Sequence, residues 1–257
     1  ALSLEYGTFV YWNSENHWWQ EIVTSWGYLL ALKEHPDFAD RKLKDGKTVE
    51  EHYRISTAYM KRHMRERAKK GFLLEISSGG YATRMRNMWL MIYDLSPDQE
   101  LKQLATDTLD LWWAFWAEEQ ISAERGGGKV RHRNLRGLTP NNEGHLPSAW
   151  MYFGVGARDL DYVYSLSGRG TQLAANYKML FAGYRPHPIV SEILKARDAA
   201  PAYAIRQRRL GAKMSMKKEV AAEIDKLGKS NIYDIENGNC YKYSWVSQSF
   251  VLGTVMR

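Results

Sequence analysis

The chain has 257 residues, 44% of them hydrophobic, and its 36 Lys and Arg against 29 Asp and Glu give a net charge of +7. That length and apolar content exclude a disordered chain and allow one large domain or two modest ones. A single cysteine, Cys240, excludes an intrachain disulfide framework and a cysteine zinc site, and no apolar run reaches the roughly 20 residues of a membrane span.

The first predicted element is a helix. Trp18, Ile22, Trp26, Leu29 and Leu30 follow helical spacing, and Pro36 disfavours its continuation. Thr48 with Glu51 three residues later forms a capping-box pattern that opens a second helix through Tyr53, Met60 and Met64, with a stop at Gly71. Tyr81, Met85, Met88, Trp89 and Ile92 mark a third. Ser96-Pro97 with Gln99 opens a fourth, which carries Leu101, Leu104, Leu111, Trp112, Phe115 and Trp116. Short loops pair these four helices, so stacked αα-hairpins are expected, as a layered bundle or an α/α toroid. The toroid is preferred, because long aromatic helices with polar loops gathered at one end make a cleft.

Residues 122–145 read as a loop rich in glycine and cations, too long for a simple connection. Helical patterns resume near 147–155, 171–181 and 188–199, after which the tail changes to a β period in "CYKYSWVSQSFVLGTVMR". The expected organisation is mainly α: a toroid-like helical domain over 1–200, then a linker and the start of a β-rich antiparallel region over 201–257.

The positive balance favours an anionic partner, and 13% aromatic residues, with 10 Trp and 16 Tyr, suit sugar faces or nucleic-acid bases better than a membrane surface. No nucleic-acid module is recognisable, so nucleic acid is the minor reading. H-E-x-x-H, G-x-S-x-G and EF-hand spacings are absent and the seven His are scattered, so neither metal nor cofactor is expected.

Three stretches carry candidate chemistry. In "YWNSENHWW", Asn13 or Ser14 could cap the first helix and Glu15 complement its positive end, a purely structural use. Asn16 and His17 go beyond that need, since an amide can bind a substrate carboxylate while imidazole takes a proton near neutral pH. In "LLEISSGGYATRMRNMW", Gly79 and Gly80 permit close backbone approach. Tyr81 shares a helix face with Arg84, and Glu75 is a further carboxylate. Tyr81 is either a core ring or a proton donor and acceptor. In the third stretch, Arg125, Lys129, Arg131 and Arg133 concentrate cations on a Gly-rich loop, either a solvated face or a clamp for carboxylates.

These motifs resemble a family. "SENH" before an aromatic helix, "LEISSGGYATRMRNMWLMIYDLSPDQELKQLA", "WAEEQISAERGGGKVR" and "YSWVSQSFVLGT" are similar to bacterial carbohydrate-active proteins with an α/α toroid followed by an antiparallel β-domain, among them heparinase-II-like and alginate-lyase-like polysaccharide lyases. The resemblance implies that Asn16 and His17 face a uronate carboxylate and its C5 proton, with Tyr81 as acid or base and Glu15 as a further catalytic candidate. Asn13, Glu75, Arg84, Arg125, Lys129, Arg131 and Arg133 would bind the substrate. The implied partner is an acidic polysaccharide or oligosaccharide, and the implied activity a β-eliminating lyase. The alternatives are a glycoside hydrolase with Glu15 and Glu75 as acid and base, and a non-catalytic glycan-binding or assembly protein. The chain begins at Ala1 without an initiator Met, as a processed exported chain or a trimmed one does, and either origin fits. A secreted or periplasmic location is the expected one.

Overall fold

The computed structural model describes residues 15–71, 74–77, 79–128, 145–156, 178–209 and 240–256. Asn13, Lys129, Arg131 and Arg133 of the candidate set lie outside the described residues. The chain is mainly helical with a small C-terminal antiparallel sheet.

Four long helices form the body: α1 (Glu15–Lys33), α2 (Val49–Lys70), α3 (Gly79–Leu95) and α4 (Gln99–Glu119). The Thr48 hydroxyl accepts from the Glu51 N–H at 3.1 Å while the Glu51 carboxylate accepts from the Thr48 N–H at 2.7 Å, so α2 starts with the reciprocal cap its sequence predicts. Helix α4 starts differently from expectation. Its cap is Asp98, whose carboxylate accepts from the Leu101 N–H at 2.9 Å, and Ser96 supports Asp98 instead of capping the helix itself.

Helices α1 and α2 run antiparallel, because Trp18 meets Tyr59 and His63, the Trp26 indole donates to Thr57 at 3.1 Å, and Lys33 pairs with Glu50 at 3.8 Å. Helix α1 also packs on α3 and α4 on both α2 and α3, so each long helix has two long neighbours. Lys61 of α2 fastens the start of α4 through Asp98 at 2.6 Å and Glu100 at 2.8 Å. This four-helix arrangement of two hairpins is what the described residues establish; the toroid is a finer reading.

The core lies between these helices. Trp18, Trp19, Trp26, Trp89, Trp112, Trp113 and Trp116 are all buried, so most of the indole content is packing and not ligand surface. Past α4 the chain makes a hairpin, β1 (Gln120–Ile121) with β2 (Glu124–Arg125), whose turn and second strand fall in the region read as loop. Its turn residues Ser122 and Ala123 have φ of 50° and 69°, a left-handed geometry for which the sequence offers no glycine. Three further helices follow: α5 (Leu146–Phe153), the single turn α6 (Lys178–Phe181) and α7 (Ile189–Ala199), with α7 against α4. Asp110 of α4 holds the approach to α7 by accepting from the Tyr184 hydroxyl at 2.6 Å and the His187 N–H at 2.9 Å. Burial and that bond to Asp110 both raise the Tyr184 pKa.

The sheet has the order β3 (Ala202–Arg209), β4 (Cys240–Ser247), β5 (Val251–Met256), all antiparallel. Strand β3 is separated from α7 by two residues and was not legible in the sequence, where four of its residues are Arg or Gln. One face of β4 turns inward with Lys242, Ser244 and Val246; the other carries Tyr241, Tyr243 and Trp245. Tyr203 ties β3 to the helices by donating its hydroxyl to the Glu118 carbonyl at 2.5 Å. Among the described residues, no helix is long and apolar enough to cross a membrane.

Candidate functional site

The 3-10 turn Leu74–Ser77, just before α3, is where the candidate residues converge. From one side α1 grips it. The Asn16 backbone N–H and side-chain amide both donate to Glu75 Oε2, at 2.9 and 2.7 Å, and the Glu75 N–H donates to Glu15 Oε2 at 2.9 Å. Glu75 therefore supplies an orphan donor of α1 with the acceptor that a local cap ordinarily provides. Gln20 steadies Asn16 from the next turn, donating to its carbonyl at 2.9 Å.

From the other side α4, the hairpin and the sheet grip the same turn. Arg125 donates to the Ile76 carbonyl at 3.1 Å and through Nε to Glu119 Oε2 at 2.9 Å, with Nη2 in ion-pair contact with the same oxygen at 2.8 Å. Lys242 of β4 donates to the Ser77 hydroxyl at 2.8 Å and to Glu119, and the Ser244 hydroxyl donates to Glu119 Oε1 at 2.7 Å. Burial works against the charge on Glu119, but Arg125, Lys242 and Ser244 outweigh it and hold the carboxyl below its ordinary range. The adjacent Glu118 goes the other way, raised by burial and then by the charge of Glu119.

The glycines that follow Arg125 are there for packing. A Cβ on Gly127 would lie 2.7 Å from the Ser244 hydroxyl, and one on Gly128 would lie 2.7 Å from the Thr254 carbonyl carbon. The chain crosses β4 and β5 too closely for any side chain, which explains "GGG" without a phosphate or sugar. Arg125 likewise departs from the loop clamp expected of it: it is a strand residue, 1% exposed, in a buried ion pair.

Glu15, Asn16 and Glu75 are fully buried, and their side chains bond the start of α1 to the turn. His17, the next residue on α1, is exposed. Tyr81 is half-buried on the first turn of α3, with the Arg84 guanidinium 5.8 Å from its ring centre, so this pair does share a face. Both α1 and α3 begin at the Leu74–Ser77 turn, which brings His17, Tyr81 and Arg84 to one end of the bundle. Two helix N-termini at that end favour an anion. Among the described residues, no group of three His, Cys, Asp or Glu side chains could hold a metal.

Sequence reasoning passed over Glu119, Ser77, Lys242 and Ser244. One signal was present: Glu118 and Glu119 close α4, where a carboxylate opposes the helix dipole and calls for a cation from elsewhere. It also passed over Arg86, fully buried in the core, which donates to the Ser148 hydroxyl at 2.6 Å and lies 5.4 and 5.8 Å from the Trp112 and Trp113 rings. Burial pushes the Arg86 guanidinium down to about 9, which leaves it charged at neutral pH. The chain matches no protein-family model, no curated protein and no solved structure.

Proposed function

We propose that the protein acts on an acidic, uronate-bearing polysaccharide by β-elimination, outside the cytoplasm, with a toroid-like helical body forming the cleft. The observation that carries this reading is the shared origin of α1 and α3 at one turn, with exposed His17 beside the fixed Asn16 and the Tyr81–Arg84 pair at the same end. Arg84 is the carboxylate-binding residue, aided by the field of the two helix starts. His17 takes the C5 proton; the electron pair forms the C4=C5 double bond as the C4–O bond breaks. Tyr81 donates its hydroxyl proton to the departing oxygen, and proton return from His17 through water restores both groups. Glu15, Asn16 and Glu75 act as positioning residues, because their side chains are buried in the clasp.

The hydrolase alternative loses its footing on the same geometry. Two carboxyls serving as acid and base must flank a glycosidic bond with room for sugar between them, whereas Glu15 accepts from the backbone of Glu75 itself at 2.9 Å. The deciding experiment is incubation with a panel of uronate-bearing glycans, followed by ultraviolet absorbance and reducing-end assay. Elimination yields both signals. Reducing ends without absorbance overturn the lyase reading in favour of hydrolysis, and glycan binding without either signal overturns it in favour of a non-catalytic role.

A further inference from the structure

The outward face of the C-terminal sheet is unlike the rest of the described surface. On β4, Tyr241, Tyr243 and Trp245 stand in one row, with Tyr241 and Trp245 each 42% exposed. Alternate residues of a strand are roughly 7 Å apart, so the three aromatic residues follow one another at a regular backbone step along one face. In register beside it on β3 are Arg206, opposite Tyr243, and Arg208, opposite Tyr241. Their guanidinium carbons lie 5.9 and 5.3 Å from those ring centres. On the other side, β5 places Leu252, 65% exposed, opposite Trp245, and Met256 opposite Tyr241.

We infer that this face is a binding platform for a stretch of acidic polysaccharide, separate from the end of the bundle that holds His17 and Tyr81. The inference rests on the substrate class of the proposed function. A row of rings with constant spacing matches a polymer that repeats along one direction and presents apolar sugar faces to stack on. The cationic row along only one edge matches carboxylates projecting from one side of such a ribbon, and arginines held against rings lose less freedom on pairing with them. The inward residues of the same strand hold the platform rigid: Lys242 and Ser244 are bonded to Glu119. A single-stranded nucleic acid also combines stacking on rings with cations along its backbone, and it is the competing occupant that the DNA arm of the test excludes. On β5 the residues opposite Trp245 and Tyr241, Leu252 and Met256, are apolar.

The test is electrophoresis of the full chain through native gels containing alginate, dextran or single-stranded DNA. Wild type is expected to be retarded by alginate and not by dextran. Joint replacement Tyr243→Ala and Trp245→Ala should weaken the apparent affinity for alginate at least about tenfold. The pair Arg206→Glu and Arg208→Glu should abolish retardation, and Trp245→Phe should preserve it. Each variant is compared by circular dichroism, and Trp245→Phe with Arg206→Glu alone decides the matter where the double variants fail to fold. The platform is overturned if alginate does not retard wild type, if the aromatic variant runs as wild type, or if DNA retards the protein as strongly. It is also overturned if sedimentation shows wild type as a dimer that the aromatic replacements dissociate. Retardation needs no turnover, so aromatic-dependent binding to an uncleaved glycan leaves the platform standing while the lyase reading falls.

Discussion

Asn16 donates both its backbone N–H and its side-chain amide to the same oxygen of Glu75, across 59 residues of chain. The tie answers why so many polar groups gather at the start of α1. Glu15 and Asn16 dock that helix end against the turn that launches α3, and among the described members of the group His17 faces solvent.

The first prediction concerns this tie. Asn16→Ala removes a bond to a buried carboxylate and should lower stability by about 2 kcal/mol, since bonds to charged groups are worth roughly 1.5–3 kcal/mol. Urea unfolding should show an earlier midpoint at unchanged slope. A midpoint equal to wild type would mean that Glu75 finds an equal partner elsewhere and that the clasp is not what fixes α1.

A second prediction separates exposed from buried members. His17→Ala should lower kcat on a cleavable uronate glycan by about 10²- to 10⁴-fold while leaving the unfolding midpoint unmoved, and Tyr81→Phe should act in the same direction. Arg84→Ala should chiefly raise KM. Full turnover in both the His17 and Tyr81 variants would return the stretch to a structural helix start.

The charge cluster at Glu119 has a pH signature. Its carboxyl is held below the ordinary value, so the stability it supplies is complete above the unfolded value, about 4.3, and is lost as pH falls through the lower native value. Glu118 has the opposite sign, its burial cost being relieved by acid. Glu119→Gln should therefore cost about 3–5 kcal/mol at neutral pH by leaving Arg125 and Lys242 without their anion, and the gap to wild type should shrink below pH 4. A gap that stays constant from pH 7 to pH 3 would rule out this ion pair as its cause.

Two glycines make a paired prediction. A Cβ on Gly253 would lie 2.5 Å from the Gly128 backbone nitrogen, with no flexible side chain to yield, whereas Gly46, at φ +82°, has nothing within 4 Å. Gly46→Ala should cost about 1 kcal/mol from backbone strain alone. Gly253→Ala should cost more, about 2–3 kcal/mol, by forcing the 126–128 segment off the sheet. Thermal melting of the two variants compares them directly, and equal losses would contradict the close approach.

What the sequence disclosed was local. Apolar spacing marked the four long helices, and Thr48 with Glu51 marked a cap, because those signals lie within one or two turns of chain. The Asp98 cap was hidden by a neighbouring Ser-Pro that reads equally well as a helix start. The hairpin at residues 120–125 was hidden because Ser122 and Ala123 take left-handed turns that glycine usually marks. At the site, Glu15, Asn16 and Glu75 were singled out for chemistry, but nothing within the chain's local order shows that they bond to one another. Tryptophan content pointed to ligand surface, and burial claimed seven of those rings for the core. Trp245, 42% exposed on the sheet, stands where stacking on a sugar is open to it.

Lys242 and Glu119 are 123 residues apart, and that separation sets a timetable. During synthesis at about 5–20 residues per second, Glu119 leaves the ribosome roughly 6–25 s before the lysine that completes its charge balance. Through that interval the nascent helical body has Arg125, six residues on, as a partner for Glu119 and for the Ile76 carbonyl, and the Leu74–Ser77 turn still lacks the bond from Lys242 to Ser77. Arrival of β4 thus adds the Lys242 bond to Ser77 and a second cation to Glu119, so the end of the bundle that carries His17 and Tyr81 is completed by a segment made long after its helices.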